Sequence, residues 1–351
     1  METTWKAIDL MGETDDLYLG HPGVMGDRGA NLILQSADLL ISIGSRIDTS
    51  ITAFNEPHFG MSAKKVIVDI DRHELDRMKL EQVEVSLACS AAQFIRAFLK
   101  AAEKEEFAGK KAEWAAWTVQ GKALRRKYPA VTEEHRKKTG YVSAYYFIEL
   151  LSRSADASDV IVPESSGAAG EITYQAFQLK YGQKMKNAAG LGSMGFGLPY
   201  AIGSCLANDG RRTILIDGDG AFQLNIQELE TLARLGLPVK IFIWNNGGYA
   251  SIRSMQNQTF DGHQVASGPD SGLSMPDLCK IAQAYGIRSM RISSNRELEM
   301  KLPKILADDE MMFCELKIAE DDTVSPRTKT FRRDDGKMES SKLEDMWPRI
   351  D

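Results

Sequence analysis

Cysteine and histidine are scarce among the 351 residues, and this scarcity argues against a zinc protein and against a disulfide-stabilised protein. The four cysteines are far apart, at Cys89, Cys205, Cys279 and Cys314. The five histidines are equally scattered, at His21, His58, His73, His135 and His263. No CxxC pair or histidine spacing typical of a zinc site is present, and nothing indicates a disulfide framework. We therefore expect no cysteine or histidine metal site, and a reducing, cytoplasmic location fits best.

Positive charge in excess and long apolar runs are also missing. Lys and Arg number 43 against 49 Asp and Glu, which gives a net charge of −6. A mildly acidic chain is not typical of a nucleic-acid binder. No apolar stretch is long enough to span a membrane, and the first residues lack the apolar region of a signal peptide. We expect neither nucleic acid nor membrane as a partner.

The first part of the chain, residues 1–104, shows the pattern of an α/β domain. Its apolar runs at 37–44 and 65–71 lack alternation and end in Gly or Asp, which is typical of strands in a parallel sheet covered on both faces. Residues 91–102 predict a helix. Residues 105–138 mix charges of both signs and predict a solvated linker with helical character.

The remaining residues, 139–351, predict a second α/β domain. Strands are expected at 159–162, 213–216 and 239–244, with helices at 145–151 and 198–206. An apolar stripe over 226–233 predicts a further helix, which Gly236 and Pro238 end. Because strands and helices alternate, we predict a doubly wound parallel sheet.

Polar side chains follow two neighbouring strands of this predicted sheet. Asp219 lies in the segment Gly218-Asp219-Gly220, and Asn246 lies 27 residues later in Asn245-Asn246-Gly247-Gly248. One helix connects the two strands, so both clusters belong at the carboxyl edge of the sheet, where ligands of open α/β sheets bind. The two oxygen-bearing side chains are therefore expected to meet.

Oxygen ligands of this kind suit Mg²⁺, which usually shares its octahedral shell with phosphates. We expect Asp219 to give a carboxylate oxygen, Asn246 its amide oxygen and Gly248 a backbone carbonyl. The neighbouring glycines allow a close approach to a diphosphate. A helix expected to begin near Asn225 points its positive end at the same place.

Three segments together resemble thiamine-diphosphate-dependent enzymes of the acetolactate synthase family. They are 218–229 (GDGAFQLNIQEL), 237–243 (LPVKIFI) and 190–199 (GLGSMGFGLP). The resemblance covers most of the chain and implies the thiamine-diphosphate-binding fold, preceded by part of a Rossmann-like middle domain. It also implies Mg²⁺ and thiamine diphosphate as cofactors, and decarboxylation or carboligation of 2-keto acids.

The resemblance assigns roles residue by residue. Met194 becomes the apolar wedge that bends the cofactor, and the Gly192 carbonyl accepts a hydrogen bond from its aminopyrimidine. The bend places a ring nitrogen beside the proton to be removed, so that proton transfer is intramolecular. The diphosphate is expected near Ser166 and Gly167. Further cofactor contacts are expected from the backbone of the two turns, at Gly218, Gly220, Ala221, Tyr249 and Ala250.

The chain departs from that family in three respects. We find no counterpart of its first domain, which binds the aminopyrimidine and supplies a glutamate. We therefore expect that a partner domain or chain is needed and that this chain alone has little activity.

Because the family's active site lies between chains, a homodimer or homotetramer is expected. Gly44-Ser45-Arg46 matches the FAD-contacting turn only in part, which makes FAD doubtful. Ser251, Met255 and the segment 164–167 differ from the synthase pattern, so the acceptor substrate stays open.

Other interpretations compete with this one. Residues 190–195 fit GxGxxG, which would make Asp217 the ribose ligand of an NAD-dependent oxidoreductase, although 183–189 is a poor strand. A GDG sequence alone is most often a plain turn. A calcium loop would need a ligand at Ala221. A catalytically silent fragment or subunit that binds thiamine diphosphate is the remaining alternative.

Overall fold

The computed structural model describes residues 1–105, 107, 109–320 and 322–350, which divide into two compact units. Unit 1 comprises Met1–Ala7, Asp16–Pro129 and the segment from Ser325 onward, and unit 2 comprises Ile8–Asp15 and Ala130–Val324. This division differs from the predicted boundaries in two places. The end of the chain, expected with the second domain, packs in unit 1. Most of the predicted linker also belongs to unit 1.

Unit 1 contains a short parallel sheet with helices. Its elements are α1 (Arg28–Ser36), β1 (Leu39–Ile43), β2 (Lys64–Asp69), α2 (Arg72–Arg77), β3 (Val83–Ala88), α3 (Ala91–Ala102) and α4 (Lys111–Lys127). The described strands are in the order β1-β2-β3, and both pairings are parallel. The predicted strands at 37–44 and 65–71 and the predicted helix at 91–102 are confirmed. The expectation that this sheet is covered on both faces is wrong, because all of β3 and most of β1 are exposed and α3 buries none of its residues.

Helix α4 occupies the centre of the charge-rich segment that was expected to be a linker. It packs on α1 because two glycines allow the helices to approach closely. A Cβ at Gly121 would lie 3.1 Å from a methyl of Ile33, and one at Gly29 would lie 2.8 Å from the backbone N of Arg125. The mixed charges therefore mark the solvent face of a packed helix.

The end of the chain is held in unit 1 by buried polar contacts. Arg28 donates to the carbonyls of Met346 (3.3 Å) and Pro348 (2.5 Å), and the Asn31 amide contacts the Met346 sulfur at 3.3 Å. These partners are more than 300 residues apart in sequence, so no local pattern indicates the contact.

Unit 2 is a doubly wound α/β structure. Its helices are α5 (Glu133–Lys137), α6 (Ala144–Ser154), α7 (Gly167–Ala176), α8 (Gly197–Ala207), α9 (Asp219–Phe222), α10 (Glu228–Leu235), α11 (Ala250–Thr259), α12 (Leu278–Ala284) and α13 (Asn295–Ala307). Its strands are β4 (Val160–Pro163), β5 (Lys184–Met185), β6 (Thr213–Gly218), β7 (Val239–Asn245), β8 (Ser289–Ile292) and β9 (Met312–Lys317). Two strands in unit 1, β10 (Thr330–Arg332) and β11 (Met338–Ser340), form an antiparallel hairpin. Short 3-10 helices lie at Trp5–Leu10, Glu56–His58, Gln223–Asn225 and Pro269–Ser271.

Both faces of the unit 2 sheet are buried, as the unbroken apolar runs predict. On β7, Ile241 and Ile243 join a core with Leu229 and Leu232 of α10. The alternate residues face α6, where the Phe147 ring lies 5.0 Å from Phe242 and 6.1 Å from Trp244, between ring centroids. Fully burying each such side chain stabilises the fold by about 1.5–3 kcal/mol. The sheet therefore forms the buried centre of the unit, with helices packed on both of its faces.

The strand order of unit 2 creates a natural binding crevice. The described strands run β5-β4-β6-β7-β9-β8, and every pairing is parallel. The chain leaves β4 toward β5 on one side and returns to β6 on the other. Ligands of open α/β sheets bind at the carboxyl ends of strands where the order reverses in this way. Separately, none of the described helices has the length and apolar character of a membrane span.

Candidate functional site

A cavity of about 200 Å³ lies at the carboxyl ends of β4, β6 and β7, at the reversal of strand order. Its walls come from the start of α7, the loop before α8, the two predicted turns and the start of α11. The lining residues are Ser166, Gly167, Ala168, Ala169, Met194, Gly218, Gly220, Ala221, Trp244, Asn246, Gly248, Tyr249, Ala250, Ser251 and Ile252. The structure thus brings together nearly all the predicted site residues.

The amino terminus of α7 opens into this cavity. Ser166 is the N-cap, and no side chain caps the first turn by a hydrogen bond. Gly167 begins the helix with φ of +75°, which favours glycine. The first backbone N–H groups of a helix lack partners inside the helix and carry its partial positive charge. This end of the ten-residue helix therefore suits an anion such as a phosphate.

Asp219 joins the two predicted turns. It is fully buried; its Oδ1 accepts from the N–H of Gly220 at 2.8 Å, and its Oδ2 accepts from the N–H of Gly248 at 2.9 Å. The carboxylate itself lies behind the lining of the cavity. No ion pair within the described part of the chain includes Asp219. A buried carboxylate without a cationic partner is costly, and a bound cation would offset that cost.

Helical structure begins earlier here than the sequence predicts. Helix α9 starts at Asp219 itself, directly after β6, whereas the expected start was near Asn225. Residues 223–225 form a 3-10 turn, and α10, which carries most of the apolar stripe, begins at Glu228. The expected dipole contribution from a helix at Asn225 is therefore wrong. Asn225 instead donates from Nδ2 to the carbonyl of Gly195, at 2.8 Å.

Asn246 and Gly248 complete the oxygen set. The Asn246 side chain is 7% exposed, and its Oδ1 is buried with no hydrogen-bond partner in the described chain. Gly248 has φ of +120°, and a Cβ there would lie 2.6 Å from a Leu273 methyl. Its carbonyl accepts from the N–H of Ala250 at 3.0 Å, which leaves one lone pair. An orphaned amide oxygen beside a buried carboxylate fits a hard cation such as Mg²⁺.

Burial raises the pKa of Asp219 to about 6, although the N–H groups of Gly248, Gly220 and Gly247 and the positive charge of Arg253 act in the opposite direction. The ordinary value is 3.8, so the folded protein binds this proton more tightly than the unfolded chain. The contribution of this group to stability is therefore full below pH 3.8 and is lost as the pH rises through about 6. A cation bound to the ionised form reverses this penalty.

The raised pKa predicts that cation binding weakens in acid. Only ionised Asp219 ligates a metal, so the apparent affinity should fall about tenfold between pH 7.5 and pH 5, given a pKa of about 6. We propose Mn²⁺ titrations followed by electron paramagnetic resonance, without any phosphate ligand that titrates itself. A constant affinity across this range would contradict the role of Asp219.

The loop between β5 and α8 carries Gly192 and Met194. Met194 lines the cavity and is 38% exposed. Gly192 has φ of +63°, and a Cβ there would lie 3.9 Å from the carbonyl oxygen of Ser165 and the Cβ of Ser166. Gly195 is closely packed, because a Cβ would lie 2.7 Å from that of Leu224. The loop is thus fixed against both the α7 start and the segment after α9.

Several predicted backbone donors are already occupied. The N–H of Gly220 donates to Asp219, that of Tyr249 to the Ser267 carbonyl at 3.0 Å, and that of Ala250 to Gly248. The start of α7 is therefore the better placed source of donors for an anion. Sequence reasoning missed the lining residues Ala168, Ala169, Trp244 and Ile252. Of these, the position of Trp244 was accessible from the sequence, since it immediately precedes the Asn245-Asn246 turn.

Two further buried carboxyl groups, those of Glu164 and Asp217, lie near this site. Glu164 follows β4, its Oε2 accepts from the N–H of Gly197 at 2.9 Å, and it is 1% exposed. Asp217 is also fully buried and accepts from the N–H of Gly218 at 2.7 Å. Glu164 Oε1 and Asp217 Oδ2 have no hydrogen-bond partner in the described chain. Asp217 is therefore inaccessible to a ribose, which removes the basis of the nicotinamide interpretation.

Burial raises the pKa of Glu164, and burial together with the charges of Glu164 and Asp219 raises that of Asp217 well above its ordinary value. Both carboxyl groups therefore bind a proton more tightly in the folded protein than in the unfolded chain. Their contribution to stability is lost as the pH rises through their raised pKa values. We predict that Glu164→Gln keeps the acceptor for Gly197 and supplies a donor to Asp217. The variant should melt at a higher temperature than the native chain at pH 8, by a few degrees for about 1 kcal/mol.

The matched control is Glu149→Gln. Glu149 is buried too, but Arg136 (2.7 Å) and Arg153 (2.8 Å) both pair with it, so its substitution should lower the melting temperature at pH 8. Thermal unfolding followed by circular dichroism at pH 5 and pH 8 compares the two. If Glu164→Gln also melts lower at pH 8, the ionised Glu164–Asp217 pair does not destabilise the fold as predicted.

One further group in unit 2 has metal-ligand atoms close together. These atoms of Asp277, Cys279 and Glu315 lie within 4.8 Å of one another. Arg291 already donates to Asp277 at 3.3 Å and to Glu315 at 2.9 Å, and burial raises the pKa of Cys279 to about 11. A guanidinium thus already neutralises this cluster, in contrast to Asp219.

Comparisons with known proteins identify the family of both parts of the chain. The family model of the thiamine pyrophosphate enzyme C-terminal TPP-binding domain matches residues 166–316, and that of the central domain of the same enzymes matches residues 1–98. The matched C-terminal region contains the start of α7, both turns and the loop with Met194. The predicted resemblance is therefore confirmed.

Curated relatives of this chain include acetolactate synthase large subunits. The protein of Cyanidium caldarium is 30% identical over 308 residues, which is 87% of this chain and 50% of the relative. Isozyme 1 of Escherichia coli (strain K12) is 29% identical over 303 residues, 86% of this chain and 51% of the relative. The chain thus spans about half the length of the curated relatives it matches. It belongs to the thiamine pyrophosphate enzyme family, and within that family it is similar to acetolactate synthase large subunits.

Proposed function

We propose that unit 2 binds thiamine diphosphate together with Mg²⁺, and that the protein takes part in decarboxylation and carboligation of 2-keto acids. One observation carries this proposal: the unpartnered Oδ1 of Asn246 lies in the same turn as Gly248, whose N–H bonds the buried carboxylate of Asp219. Opposite them, the open amino terminus of α7 offers donors to a diphosphate.

Each part of the cavity has a role in this proposal. Asp219, Asn246 and the Gly248 carbonyl hold the cation, and Ser166 with the first turn of α7 holds the phosphate oxygens. Met194 supports the bent cofactor from the other wall, and the Gly192 carbonyl orients the aminopyrimidine. When bound, the cofactor supplies an electron sink for the loss of carbon dioxide from a 2-keto acid.

The acceptor side of the cavity departs from the synthase pattern. Ser251 and Ile252 line it at the start of α11, and a Cβ at Gly167 would lie 3.6 Å from the Ser251 hydroxyl. We propose acetolactate as the leading product, because the curated relatives are acetolactate synthases. We leave FAD out of the proposed cofactors, because Gly44-Ser45-Arg46 matches the FAD-contacting turn only in part.

A second candidate function is cofactor binding without turnover by this chain alone. Among the described residues, no carboxylate lines the cavity, and such a group is needed to assist proton transfer at the cofactor ring. We propose that a pyrimidine-binding domain or chain supplies it within a homodimer or homotetramer in the cytoplasm. Exposed Leu191 and Phe196, on the Met194 loop, suit such an association.

Parallel fluorescence titrations test the proposed function against the nicotinamide alternative. Thiamine diphosphate should quench tryptophan emission saturably and only with Mg²⁺ present, because Trp244 lines the cavity. NADH should give no saturable signal. Binding of NADH together with no response to thiamine diphosphate would overturn the proposal.

A further inference from the structure

Arg253 of α11 is buried behind the Asn246–Gly248 turn with unusual partners. Its guanidinium donates to the carbonyls of Asn246 at 2.7 Å, Gly247 at 3.0 Å and Ser267 at 2.9 Å. The side chain is 8% exposed, and no ion pair with an acidic residue is present in the described chain. A buried charge is costly unless it is well hydrogen-bonded, so these carbonyl contacts are what keeps it there.

These contacts orient the carbonyls of the turn. The carbonyls of Asn246 and Gly247 each accept from Arg253, so both oxygens face the guanidinium. The Asn246 Oδ1 has no hydrogen-bond partner in the described chain, and the Gly248 carbonyl accepts from the N–H of Ala250 instead. The guanidinium therefore holds the backbone of the turn from behind, without joining the proposed ligand set.

The turn needs such support because its backbone is costly to order. Gly247 and Gly248 have φ of +78° and +120°, and two successive glycines lose much conformational freedom on folding. The Arg253 fork ties this backbone to Ser267, whose carbonyl also accepts from the N–H of Tyr249. From the other side, Asn245 donates to Glu315 at 2.6 Å and accepts from the N–H of Gly247 at 3.3 Å.

We infer that Arg253 is a positioning residue that holds the Asn246–Gly248 turn in its cation-binding shape. This inference rests on the proposed function, because it presupposes that the turn binds the cation. A positive charge weakens the binding of a nearby cation, unless the benefit of an ordered turn exceeds the repulsion. The two effects of Arg253 on metal binding are therefore opposite in sign. Repulsion alone predicts that removal of Arg253 tightens metal binding, whereas positioning predicts that it weakens binding.

The test compares Arg253→Met with Arg253→Lys and with a matched control, Arg212→Met. Methionine keeps much of the stem and removes the fork, and lysine keeps the charge but presents a point donor in place of the fork. Arg212 is also a largely buried guanidinium of unit 2, paired with Asp159 at 2.7 Å and Asp156 at 2.9 Å. It precedes β6, at the opposite end of that strand from Asp219.

The readouts are Mn²⁺ affinity by electron paramagnetic resonance and the melting temperature of each variant. Loss of a group that orients a metal ligand costs about 10–100-fold in affinity, so Arg253→Met should weaken Mn²⁺ binding by that factor. The Mn²⁺ affinity of Arg253→Lys should lie between that of Arg253→Met and that of the native chain. Arg212→Met should lower the melting temperature but leave Mn²⁺ affinity within about twofold of native, since distant sites act independently.

Native-like or tighter Mn²⁺ binding by Arg253→Met and Arg253→Lys would overturn the inference. Equal weakening in Arg212→Met would overturn it too, because the effect would then follow general stability. If the native chain itself binds no Mn²⁺ or Mg²⁺, the proposed function fails first. Because the native chain is measured on its own, this failure is distinguishable from that of Arg253. If Arg253→Met does not fold, the Mn²⁺ affinity of Arg253→Lys is compared with that of the native chain instead.

Discussion

Asp219→Asn should abolish Mg²⁺-dependent binding of thiamine diphosphate. Asparagine has nearly the same shape, but its single amide oxygen can accept from only one of the two N–H groups of Gly220 and Gly248, and it removes the only charge of the proposed ligand set. We expect a loss of at least about 100-fold in affinity, since several kcal/mol of cation interaction go with the charge. Calorimetric titration of Mg²⁺ and thiamine diphosphate into both proteins measures it.

The same substitution should leave the fold intact with little net change in stability. The native carboxylate is buried, and burial raises its pKa, so the neutral amide removes a penalty at neutral pH that offsets the loss of one acceptor for the N–H groups of Gly220 and Gly248. Asp277→Asn is a matched control, because Asp277 caps α12 and lies outside the cavity. Unchanged cofactor affinity in a well-folded Asp219→Asn protein would rule out this residue as a metal ligand.

The 351-residue chain alone should show negligible turnover of pyruvate with Mg²⁺ and thiamine diphosphate. The cofactor ring needs a carboxylate within hydrogen-bond reach, and the described lining of the cavity offers none. Glu164 is directed to Gly197 and Asp217 beneath the cavity, and Glu228 and Glu230 lie on α10, outside the lining. Losing general acid–base assistance costs about 10²–10⁴-fold, and an unsupported ring adds to the loss.

A pyrimidine-binding domain, added in cis or as a separate chain, should restore activity. A full-length acetolactate synthase, assayed under the same conditions, gives the reference rate. Turnover of the isolated chain close to that rate would show that another residue replaces the missing carboxylate. Binding without turnover, followed by rescue, would instead support a protein that depends on a partner domain.

Local patterns predicted most of the elements around the site. The apolar runs gave β4, β6 and β7, the stripe at 226–233 gave α10, and Gly236 ends that helix with φ of +60° as expected. The convergence of Asp219 with the Asn246 turn followed from parallel topology, because the carboxyl ends of neighbouring strands share one edge. These features depend on residues a few positions apart or on one crossover.

What the sequence did not reveal depends on contacts between distant residues. The Glu164–Asp217 pair forms only when β4 and β6 become neighbours, and nothing near either residue indicates it. Arg253 looks like an ordinary helical residue until α11 places it behind the turn. The start of α9 at Asp219 was hidden because Gly and Asp disfavour helices, whereas the Gly248 contact fixes this backbone.

We propose that one cation at the strand ends joins the two turns to a diphosphate. A crystal structure of the chain with Mg²⁺ and thiamine diphosphate would show this cation and its ligands. We expect the cation to be ligated by an Asp219 carboxylate oxygen, Asn246 Oδ1 and the Gly248 carbonyl, with phosphate oxygens at the start of α7. A cation at Asp277, Cys279 and Glu315 instead, or a cofactor bound away from α7, would rule out the proposed site.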